Sequence, residues 1–545
     1  MSETVQQADV MIVGAGVAGL YCAHRLLTDD PGRRVVVVDL LERVGGRLDT
    51  DLVQIKSLDR FDEAGALVPG RVVGVKEEQG GMRFNATMTE LLSLIDALGM
   101  WQAINPFGMG DDNNYFHIRG RSFTAGESKR NDHAIWAELY NLTPNERNKS
   151  SGEIIMAIYR DLVFANGEVP PDNPSPAFWQ VFRLDFSFQG VPLYRWGLWS
   201  LLRAFQLSPD CIQMLADTSG FQGPFFSTMN AGSAYQLLED FPLDPLFYAL
   251  EAGFGSLPVT LTERVRAEGG TVLLGTGVSH IDASERGFVV HTTQNATAVE
   301  AEALILAIPP LPLERLLSIS PGLAPGAGAI RHALDSVVAQ QLCKINLYYN
   351  HAWWRDHSET RLPQIRNGGS FTTQPLGSVY VFDPLKGEDG NGPAALTIYC
   401  DWAKTDFWLQ LQEIGEMFDS PLQREHDAAS PQVLFAASVA VVAEATTQLR
   451  ELFRVISVPP PVLTSYRLWS GAHEFGHAYH QWARGADDRA VMDEVVSPMR
   501  GVFICNEAFS DDQGWVNGSL RSANRVLDAG FAIGPLPVPT KALPE

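Results

Sequence analysis

The sequence has few of the features that mark disulfide-linked or nucleic-acid-binding proteins. Its 545 residues include only five cysteines and no C-x-x-C pair, with thiols at Cys22, Cys211, Cys343, Cys400 and Cys505. Neither a disulfide framework nor a zinc knuckle is therefore indicated. Basic residues are also in deficit, because 41 Lys and Arg stand against 64 Asp and Glu, for a net charge of −23. This balance argues against nucleic acid or an anionic membrane as a partner.

Targeting signals and long apolar runs are missing as well. The N-terminus MSETVQQADV has no basic segment followed by an apolar stretch, and the most apolar later run, VLFAASVAVVA, is too short to cross a bilayer. We therefore expect a cytoplasmic protein without a membrane partner. A chain of this length exceeds one hydrophobic core, so two or three domains are expected.

One short motif suggests metal chemistry. Residues 473–477 read H-E-x-x-H, in which a zinc protease binds its metal through two histidines on one helical face and uses the glutamate as base. Glu494 lies at a downstream distance that suits a third ligand. Gly471 and Gly476, however, oppose the helix that this chemistry requires. Taken alone, the motif leaves a zinc site open.

The first forty residues follow a strand, turn, helix, strand pattern. The strand ADVMIV leads into Gly14, Gly16 and Gly19, a G-x-G-x-x-G series that opens a helix. In this context the first glycine permits a tight turn, the second lets backbone N–H groups approach a pyrophosphate, and the third lets helix and strand pack closely. Asp39 ends the next strand, twenty residues beyond Gly19, where a carboxylate can bind the hydroxyls of an adenosine ribose. Leucines follow it, not arginine, which disfavours NADP and leaves FAD or NAD.

The segment ERVGGRLDT resembles the flavin-dependent amine oxidase superfamily. It contains R-x-G-G-R from Arg43 to Arg47, a pattern that members of this superfamily carry around FAD after G-x-G-x-x-G and an acidic strand end. Near the C-terminus, GVFICNEAFSDDQGWVNGSLRSANRVL is similar to the closing strand and helix of the family. The resemblance implies that Glu507 serves the ribityl and phosphate region and that Trp515 lies against the flavin. One difference is Asn506, at a position where the family usually has glycine.

The segment EEQGGMRFNATMTELL resembles the part of L-amino acid oxidases in which G-x-M-R presents an arginine to the substrate carboxylate. Arg83 is that arginine. A bidentate guanidinium offsets the loss of hydration that a carboxylate suffers in a dry cavity, whereas a simple monoamine would not need it. The alternative is an ion pair of Arg83 with Glu77 or Glu78.

Three more residues match the family. Tyr399 corresponds to a tyrosine that gives the carboxylate a second hydrogen bond, unless it is an ordinary strand tyrosine. Lys344 corresponds to the lysine that holds a water near flavin N5, unless it is an exposed lysine at a strand start. Tyr479 lies ten residues after Trp469, the spacing at which the family has an aromatic facing the substrate side of the flavin, with Trp515 as the opposite wall.

The residue before Tyr479 bears on how the flavin is held. Covalent monoamine oxidases have a cysteine there, whereas this chain has Ala478, so FAD is expected to bind non-covalently. The resemblance makes H-E-x-x-H a coincidence, and no metal site is predicted. His473 and His477 are then either residues that tune the pocket or plain loop histidines.

Together these features predict an α/β (α+β) fold, with a discontinuous Rossmann-like FAD-binding domain, a mixed-sheet substrate-binding domain and a helical insertion. The FAD-binding domain is expected at 8–75, 247–335 and 496–535, the substrate-binding domain at 76–125 and 336–495, and the helical insertion at 126–246. The cofactor residues implied by the resemblance are Gly14, Gly16, Ala18, Gly19, Asp39, Leu40, Gly46, Arg47, Gly81, Met82, Arg83, Val278, Glu507, Gly514, Trp515 and Val516.

The resemblance implies an L-amino acid oxidase in which Lys344, Arg83, Tyr399, Tyr479 and Trp515 form the catalytic group. Its partners would be an amino-acid substrate and dioxygen, its products a 2-oxo acid, ammonia and hydrogen peroxide, and its assembly a homodimer. Two alternatives stay open. One is a flavin amino-acid monooxygenase that gives an amide and carbon dioxide, and the other is a catalytically silent flavin-fold binding protein.

Overall fold

The computed structural model of the chain describes residues 4–61, 64–172, 174–239, 246–293, 297–355, 365–382, 392–429, 436–471 and 476–544. In chain order its strands are β1 (Thr4–Val13), β2 (Val35–Val38), β3 (Thr50–Lys56), β4 (Arg60–Phe61), β5 (Leu67–Val68), β6 (Val72–Glu78), β7 (Phe84–Asn85), β8 (Ile104–Phe107), β9 (Tyr115–Ile118), β10 (Arg121–Thr124), β11 (Ser187–Phe188), β12 (Val191–Pro192), β13 (Phe247–Leu250), β14 (Thr271–Leu273), β15 (Val278–Ala283), β16 (Phe288–Thr292), β17 (Thr297–Leu306), β18 (Val337–Ala339), β19 (Leu342–Tyr349), β20 (Gly368–Thr372), β21 (Ser378–Val381), β22 (Ala394–Asp401), β23 (Leu463–Trp469), β24 (His480–Trp482) and β25 (Val502–Ile504).

The helices are α1 (Val17–Asp29), α2 (Thr89–Ala97), α3 (Ala125–Ser128), α4 (Arg130–Leu139), α5 (Ser151–Ala165), α6 (Pro176–Leu184), α7 (Leu198–Ala204), α8 (Pro209–Ser219), α9 (Gly223–Phe226), α10 (Ala231–Glu239), α11 (Ser256–Ala267), α12 (Pro310–Ile319), α13 (Ala327–Asp335), α14 (Ala403–Gln412), α15 (Pro421–Ala429), α16 (Val439–Phe453), α17 (Asp488–Val495) and α18 (Val516–Phe531). Short 3₁₀ helices lie at Trp101–Ala103, Leu193–Arg195, Pro321–Gly326, Trp353–Arg355 and Glu507–Phe509.

The first sheet is built around the N-terminal βαβ unit. Strands β14, β2, β1 and β17 pair in parallel, β25 pairs in parallel with the C-terminal part of β17, and β16 and β15 continue antiparallel from its N-terminal part. All of Val35–Val38 is buried, as expected for a parallel strand that is covered on both faces. Helices α1, α11 and α18 share an apolar core with one face, and α12, α13 and α17 with the other. The sheet is therefore a Rossmann-like sheet assembled from three distant parts of the chain.

The second sheet is mixed and has the order β10, β9, β20, β21, β22, β19, β23. Strand β19 is antiparallel to both β22 and β23, and every residue of β19 and β23 is buried. Helices α14 and α16 share the apolar core on one face. On the other face, the antiparallel pair of β3 and β6 contributes Val53, Ile55 and Val75 to a smaller cluster with β19. This packing holds the segment after β6 against the sheet.

The helices from α4 to α10 share a third apolar core, rich in aromatic and leucine side chains. They occupy the region where the sequence predicts a helical insertion, and the fold class agrees with the predicted one. The exact segment boundaries of the predicted domains stay predictions. Within the described part of the chain, no helix combines the length and apolar character needed to cross a membrane.

Candidate functional site

A cavity of about 940 Å³ is lined by residues from both large sheets and from the helical insertion. Of the residues predicted for the site, only Gly19 is outside this lining. The predicted residues that line the cavity are Gly14, Gly16, Ala18, Asp39, Leu40, Gly46, Arg47, Gly81, Met82, Arg83, Val278, Lys344, Tyr399, Tyr479, Glu507, Gly514, Trp515 and Val516. Gly19 instead packs against the Gly14 carbonyl and leaves no room there for a side chain. It therefore shapes the turn without facing the cavity.

The glycine turn between β1 and α1 borders this cavity. Gly14 adopts a φ of +108°, and a side chain there would collide with the Ala307 carbonyl, so glycine suits this position. Gly16 stands at the N-terminus of α1, and no described atom lies within 4 Å of the point that a side-chain carbon would occupy. This open space at a helix N-terminus fits a pyrophosphate, because the backbone N–H groups of the first helical turn favour negative charge.

Asp39 follows β2 on the same border. Its carboxylate accepts hydrogen bonds from Ala15 N at 2.7 Å and Leu41 N at 2.9 Å. Burial raises the pKa of Asp39, although both hydrogen bonds oppose that effect. The carboxylate thus joins the glycine turn to the end of the second strand, and it lines the cavity where an adenosine ribose would lie beside a pyrophosphate at Gly16.

Glu507 ties three segments together at the cavity wall. Its Oε2 accepts a hydrogen bond from Arg47 Nη1 at 2.6 Å, and its Oε1 accepts from His480 N at 2.9 Å and Gly514 N at 2.8 Å. Burial opposes ionisation of this carboxyl, but Arg47 and His480 hold the pKa of Glu507 below its usual range. The carboxylate is therefore charged and orients the residues that precede and follow it.

Asn506 takes the position at which the family usually has glycine. Its φ of −166° is extended backbone that any residue adopts. The side chain donates a hydrogen bond from Nδ2 to the Ile308 carbonyl at 2.9 Å and accepts one from Phe509 N at 3.3 Å. The difference from the family is accommodated without strain, and the amide links the loop after β17 to the short helix at Glu507.

Arg83 lies in the cavity wall among aromatic rings. The side chain is 7% exposed. Its Cζ lies 5.7 Å from the ring centre of Phe107, 5.4 Å from that of Phe247 and 5.7 Å from that of Tyr380. The Phe247 ring in turn stacks on Trp515, with centroids 6.0 Å apart and planes 20° from parallel. These contacts bring Arg83 close to the aromatic residue that the resemblance sets against the flavin.

The two acids considered as alternative partners of Arg83 have other hydrogen bonds. Glu77 accepts from the Thr397 hydroxyl at 2.8 Å, and Glu78 accepts from the Thr50 hydroxyl at 2.6 Å. Burial raises the pKa of Glu77 to about 7. Both carboxyls belong to a buried polar layer beneath the site.

Lys344 is 1% exposed, so it is not an exposed lysine at a strand start. Its Nζ donates to the carbonyls of Glu78 at 3.1 Å and Gly80 at 2.6 Å, and it lies 3.3 Å from Met82 Sδ. Burial lowers the pKa of Lys344 to about 8, while the charge of Glu78 opposes this. The ammonium group therefore fastens the segment that carries Arg83 to β19.

Tyr399 lies directly opposite Lys344 in the pairing of β22 with β19. The Lys344 Nζ is 4.9 Å from the centre of the tyrosine ring, and the Phe221 ring meets that ring edge to face at 5.0 Å. Burial raises the pKa of Tyr399, so its hydroxyl is a neutral donor on the cavity wall.

Tyr479 lies against Gly514, the residue that precedes Trp515. A side-chain carbon at Gly514 would lie 3.3 Å from Tyr479 Cδ2, so the glycine permits the tyrosine ring to approach the turn before α18. Burial raises the pKa of Tyr479 as well. The residue preceding it, Ala478, also lines the cavity.

An aromatic row that sequence reasoning missed connects the helical insertion to Arg83. Its ring centres are 5.5 Å apart between Trp136 and Phe116, 5.8 Å between Phe116 and Phe371, and 6.4 Å between Phe371 and Tyr380. All four rings line the cavity. These residues come from four separate elements, so no local pattern in the sequence could have grouped them.

The described lining contains two carboxylates, Asp39 and Glu507. Both already accept hydrogen bonds from protein groups. Cationic side chains are more numerous there, at Arg47, Arg83, Lys129, Arg315 and Lys344. The wall around the aromatic row is thus apolar with positive charge at one end.

A buried polar layer lies between the β3 and β6 strands and the second sheet. Asp49 accepts from Arg467 Nη2 at 2.7 Å and lies 3.3 Å from Arg43 Nη2. Asp51 accepts from the Tyr348 hydroxyl at 3.2 Å. Burial and the nearby charge of Asp49 raise the pKa of Asp51 to about 7. The layer supports the segment of Lys344 and Arg83 from behind.

Of the three residues that define the H-E-x-x-H motif, only His477 lies in the described part of the chain. His473 and Glu474 lie outside the described residues, whereas His477 lies in non-helical backbone just before β24. Burial lowers the pKa of His477 to about 4. The candidate third ligand, Glu494, lies on α17 and pairs with His332 at 2.7 Å.

The sequence and fold are similar to those of known oxidases of amino acids and amines. Over 539 residues the chain is 22% identical to the L-amino-acid oxidase of Demansia vestigiata, and the alignment covers 96% of this chain and 86% of that protein. It is also 22% identical to the flavin-dependent L-tryptophan oxidase RebO of Lentzea aerocolonigenes, with 96% and 98% covered. A solved structure of putrescine oxidase bound to putrescine has the same fold, with a TM-score of 0.63, 17% identity, and 97% of this chain and 100% of that chain covered.

The family assignment rests on a match over most of the chain. Residues 17–416 match the family described as flavin containing amine oxidoreductase. The glycine turn, Asp39 and the pair of Arg47 with Glu507 supply a cavity border that fits the flavin dinucleotide of that family. The chain therefore belongs to the flavin-containing amine oxidoreductases.

Proposed function

We propose that the protein is an L-amino acid oxidase that binds FAD non-covalently and converts an L-amino acid to a 2-oxo acid, ammonia and hydrogen peroxide. The observation that carries this proposal is the position of the Arg83 guanidinium in the cavity wall. It contacts the ring of Phe247, and that ring stacks on Trp515. The identified relatives include oxidases of amino acids and of amines, so the choice depends on the substrate groups that the cavity can bind.

The charges of the lining support an amino acid over a diamine. A second ammonium group needs a carboxylate partner in a dry pocket, yet the described lining offers only Asp39 and Glu507, both engaged with protein donors. A carboxylate, in contrast, gains a charge-assisted hydrogen bond from Arg83. Such a contact offsets much of the hydration that the acid group loses on entry.

The chain's own residues then divide the work of binding and orientation. Arg83 binds the substrate carboxylate, and the neutral Tyr399 hydroxyl donates a second hydrogen bond to it. Tyr479 and Trp515 exclude water from the reacting carbon and restrict the orientation of the amine. Bound FAD supplies the acceptor for the Cα hydride and the route by which its electrons reach dioxygen.

Lys344 positions the carboxylate clamp. Its ammonium group donates to the carbonyls of Glu78 and Gly80, which lie five and three residues before Arg83. With a pKa of about 8, this group is largely protonated at neutral pH, and it can hold a water or a proton at the cavity wall. The imino acid formed from the substrate leaves the site and hydrolyses to the 2-oxo acid and ammonia.

The test compares an amino acid with the matching amine. We expect peroxide release and anaerobic bleaching of the flavin with L-phenylalanine, and little with phenethylamine. Arg83→Met should lower kcat/KM for L-phenylalanine by about 2 to 4 kcal/mol of transition-state stabilisation, which is about 30- to 1000-fold. The rate with phenethylamine should change little, because that substrate has no carboxylate.

Lys129→Met is the matched control, since Lys129 is a cation of the same lining that pairs with Asp112 on the surface. It should leave kcat/KM for L-phenylalanine within about twofold. Equal losses for acid and amine in Arg83→Met would contradict the carboxylate role. Amide and carbon dioxide in place of peroxide would make the protein a monooxygenase, and a flavin that no amino acid bleaches would make it a silent binding protein.

A further inference from the structure

A cluster of two histidines and one aspartate lies on the β15 and β16 hairpin. His280 of β15 is paired with His291 of β16 in the antiparallel register. Their imidazole rings stack with centroids 4.1 Å apart and planes 3° from parallel. Asp282 follows His280 by two positions, so both side chains project from the same face of the strand. Strand pairing therefore brings together three groups that can ligate a metal.

The carboxylate of Asp282 is shared by both rings. Its Oδ2 lies 3.5 Å from His280 Nε2 and 3.3 Å from His291 Nε2. One ligand atom from each of the three residues lies within 4.8 Å of the others. Four ligands at bonds of about 2.0 to 2.1 Å around tetrahedral zinc have neighbouring vertices about 3.3 to 3.4 Å apart. The two nitrogen-to-oxygen separations already match two edges of such a tetrahedron.

Ser279 prepares His280 for this role. The serine hydroxyl donates to the His291 carbonyl at 3.1 Å, and it lies 3.1 Å from His280 Nδ1. Because the Ser279 hydroxyl donates its proton to the carbonyl, the Ser279 oxygen can accept a hydrogen bond from His280 Nδ1–H. A His280 ring that donates from Nδ1 in this way can present a lone pair on Nε2, the atom that faces Asp282. Metal-binding histidines are commonly oriented by such a hydrogen bond on the other ring nitrogen.

We propose that His280, Asp282 and His291 form a binding site for a divalent transition-metal cation, with zinc as the probe that suits two imidazoles and one carboxylate. Water completes the fourth vertex, since all three side chains are partly exposed. The ring planes are 3° from parallel, so both rings must rotate about their side-chain torsions for their Nε2 lone pairs to meet at one ion. The negative charge of the whole chain favours accumulation of cations near its surface.

The site is close to the nucleotide side of the cavity. Val278, the first residue of β15, and Thr293, the residue after β16, both line the cavity. Each lies two positions from a proposed ligand, and the pairing of β15 with β16 is irregular between Val278 and His280. A bound cation would join the two strands next to this irregularity. The site is separate from the flavin chemistry, and its role is to stabilise this hairpin.

The experiment measures zinc binding to the tag-free, flavin-loaded full chain after chelator treatment and dialysis. We expect one Zn²⁺ per chain by titration calorimetry and metal analysis, with micromolar affinity, and a rise of about 2 to 4 °C in the Tm of the holoenzyme at saturating zinc. Cobalt at the same site should show the visible absorption bands of a tetrahedral ion. His291→Ala and Asp282→Asn should each lower the affinity by at least about tenfold, and Ser279→Ala by about tenfold through the loss of ring orientation.

His332→Ala is the matched control. His332 is also an exposed histidine next to a carboxylate, at 2.7 Å from Glu494, but no second histidine among the described residues joins this pair in a metal-binding group. We expect its zinc affinity and Tm shift to equal those of the original chain. Flavin content and melting without zinc show whether each variant is folded. The proposal is overturned if the original chain binds no zinc, if His291→Ala binds it equally well, or if binding depends on His332 or His477.

Discussion

Arg47 Nη1 lies 2.6 Å from Glu507 Oε2, although 460 positions separate the two residues in the chain. The pair joins the loop after β2 to the turn before α18, and both partners line the cavity. The same carboxylate accepts hydrogen bonds from the backbone of His480 and Gly514. One buried acid thus orients the residues next to Tyr479 and Trp515.

The first prediction concerns this pair. Glu507→Gln should weaken the binding free energy of FAD by about 1 to 3 kcal/mol. The variant lacks the negative charge that accepts hydrogen bonds from Arg47 and from two backbone N–H groups. Released flavin can be measured by its fluorescence after dilution. Asp9→Asn removes a surface carboxylate that pairs with Arg34 on the same sheet, and it should leave FAD retention unchanged. Equal loss in the two variants would deny Glu507 a specific role.

The second prediction is that the flavin is not covalently attached to the protein. Acid precipitation should leave the flavin in the supernatant, because Ala478 offers no nucleophile beside Tyr479. Ala478→Cys, with its side chain on the cavity wall, should leave part of the flavin in the protein pellet. Flavin that stays with the precipitate of the original chain would contradict non-covalent binding. Ala18→Cys controls for a thiol elsewhere in the lining and should release all flavin.

The third prediction concerns the pH dependence of stability. Burial and Asp49 raise the pKa of Asp51 from 3.8 to about 7, so the folded state holds this proton more tightly than the unfolded chain does. The resulting stabilisation is complete below about pH 4 and is lost as the pH rises toward 7.

Replacement of Asp51 by Asn removes this dependence. The Tm difference between Asp51→Asn and the original chain should therefore become more favourable to the variant between pH 5 and pH 8. Asp59→Asn is the control, because Asp59 is exposed and its pKa is lowered by a hydrogen bond from Gly70 N; its Tm difference should not move in that direction. A Tm difference for Asp51→Asn that is constant with pH would show that this carboxyl does not titrate in that range.

The fourth prediction concerns the substrate side chain. The aromatic row from Trp136 to Tyr380 and the lack of a spare carboxylate in the described lining favour large, uncharged side chains. We expect kcat/KM to be higher for L-phenylalanine, L-tryptophan and L-leucine than for L-lysine or L-aspartate. Phe116→Ala should lower kcat/KM for L-phenylalanine by an amount equal to about 1 to 3 kcal/mol of transition-state stabilisation. It should lower kcat/KM for L-alanine by less. A preference for lysine would contradict this pocket assignment.

Much of the architecture follows from local sequence. The valine run of β2 and the glycine series before α1 predict a parallel strand and a dinucleotide turn, because both signals are residue types at short spacing within one βαβ unit. Arg83, Lys344 and Trp515 were found through motif resemblance, and the structure brings all three to one cavity. Their roles in catalysis stay predictions.

Other parts depend on contacts between distant segments. The sequence indicated neither the rings around Arg83 nor the hold of Lys344 on Gly80, since these contacts join strands that pair only in the folded chain. The sequence also left open whether Lys344 is buried or exposed, because burial depends on how the sheet packs against other segments.

The sequence by itself determined the nucleotide-binding turn, the family and the absence of a cysteine beside Tyr479, because these depend on residue types at short spacing. Only the tertiary structure decided which groups share the cavity and which share the hairpin face at His280, Asp282 and His291. The physical reason is that the register of β15 with β16, and of β19 with β22, brings side chains within a few ångströms that the sequence leaves far apart.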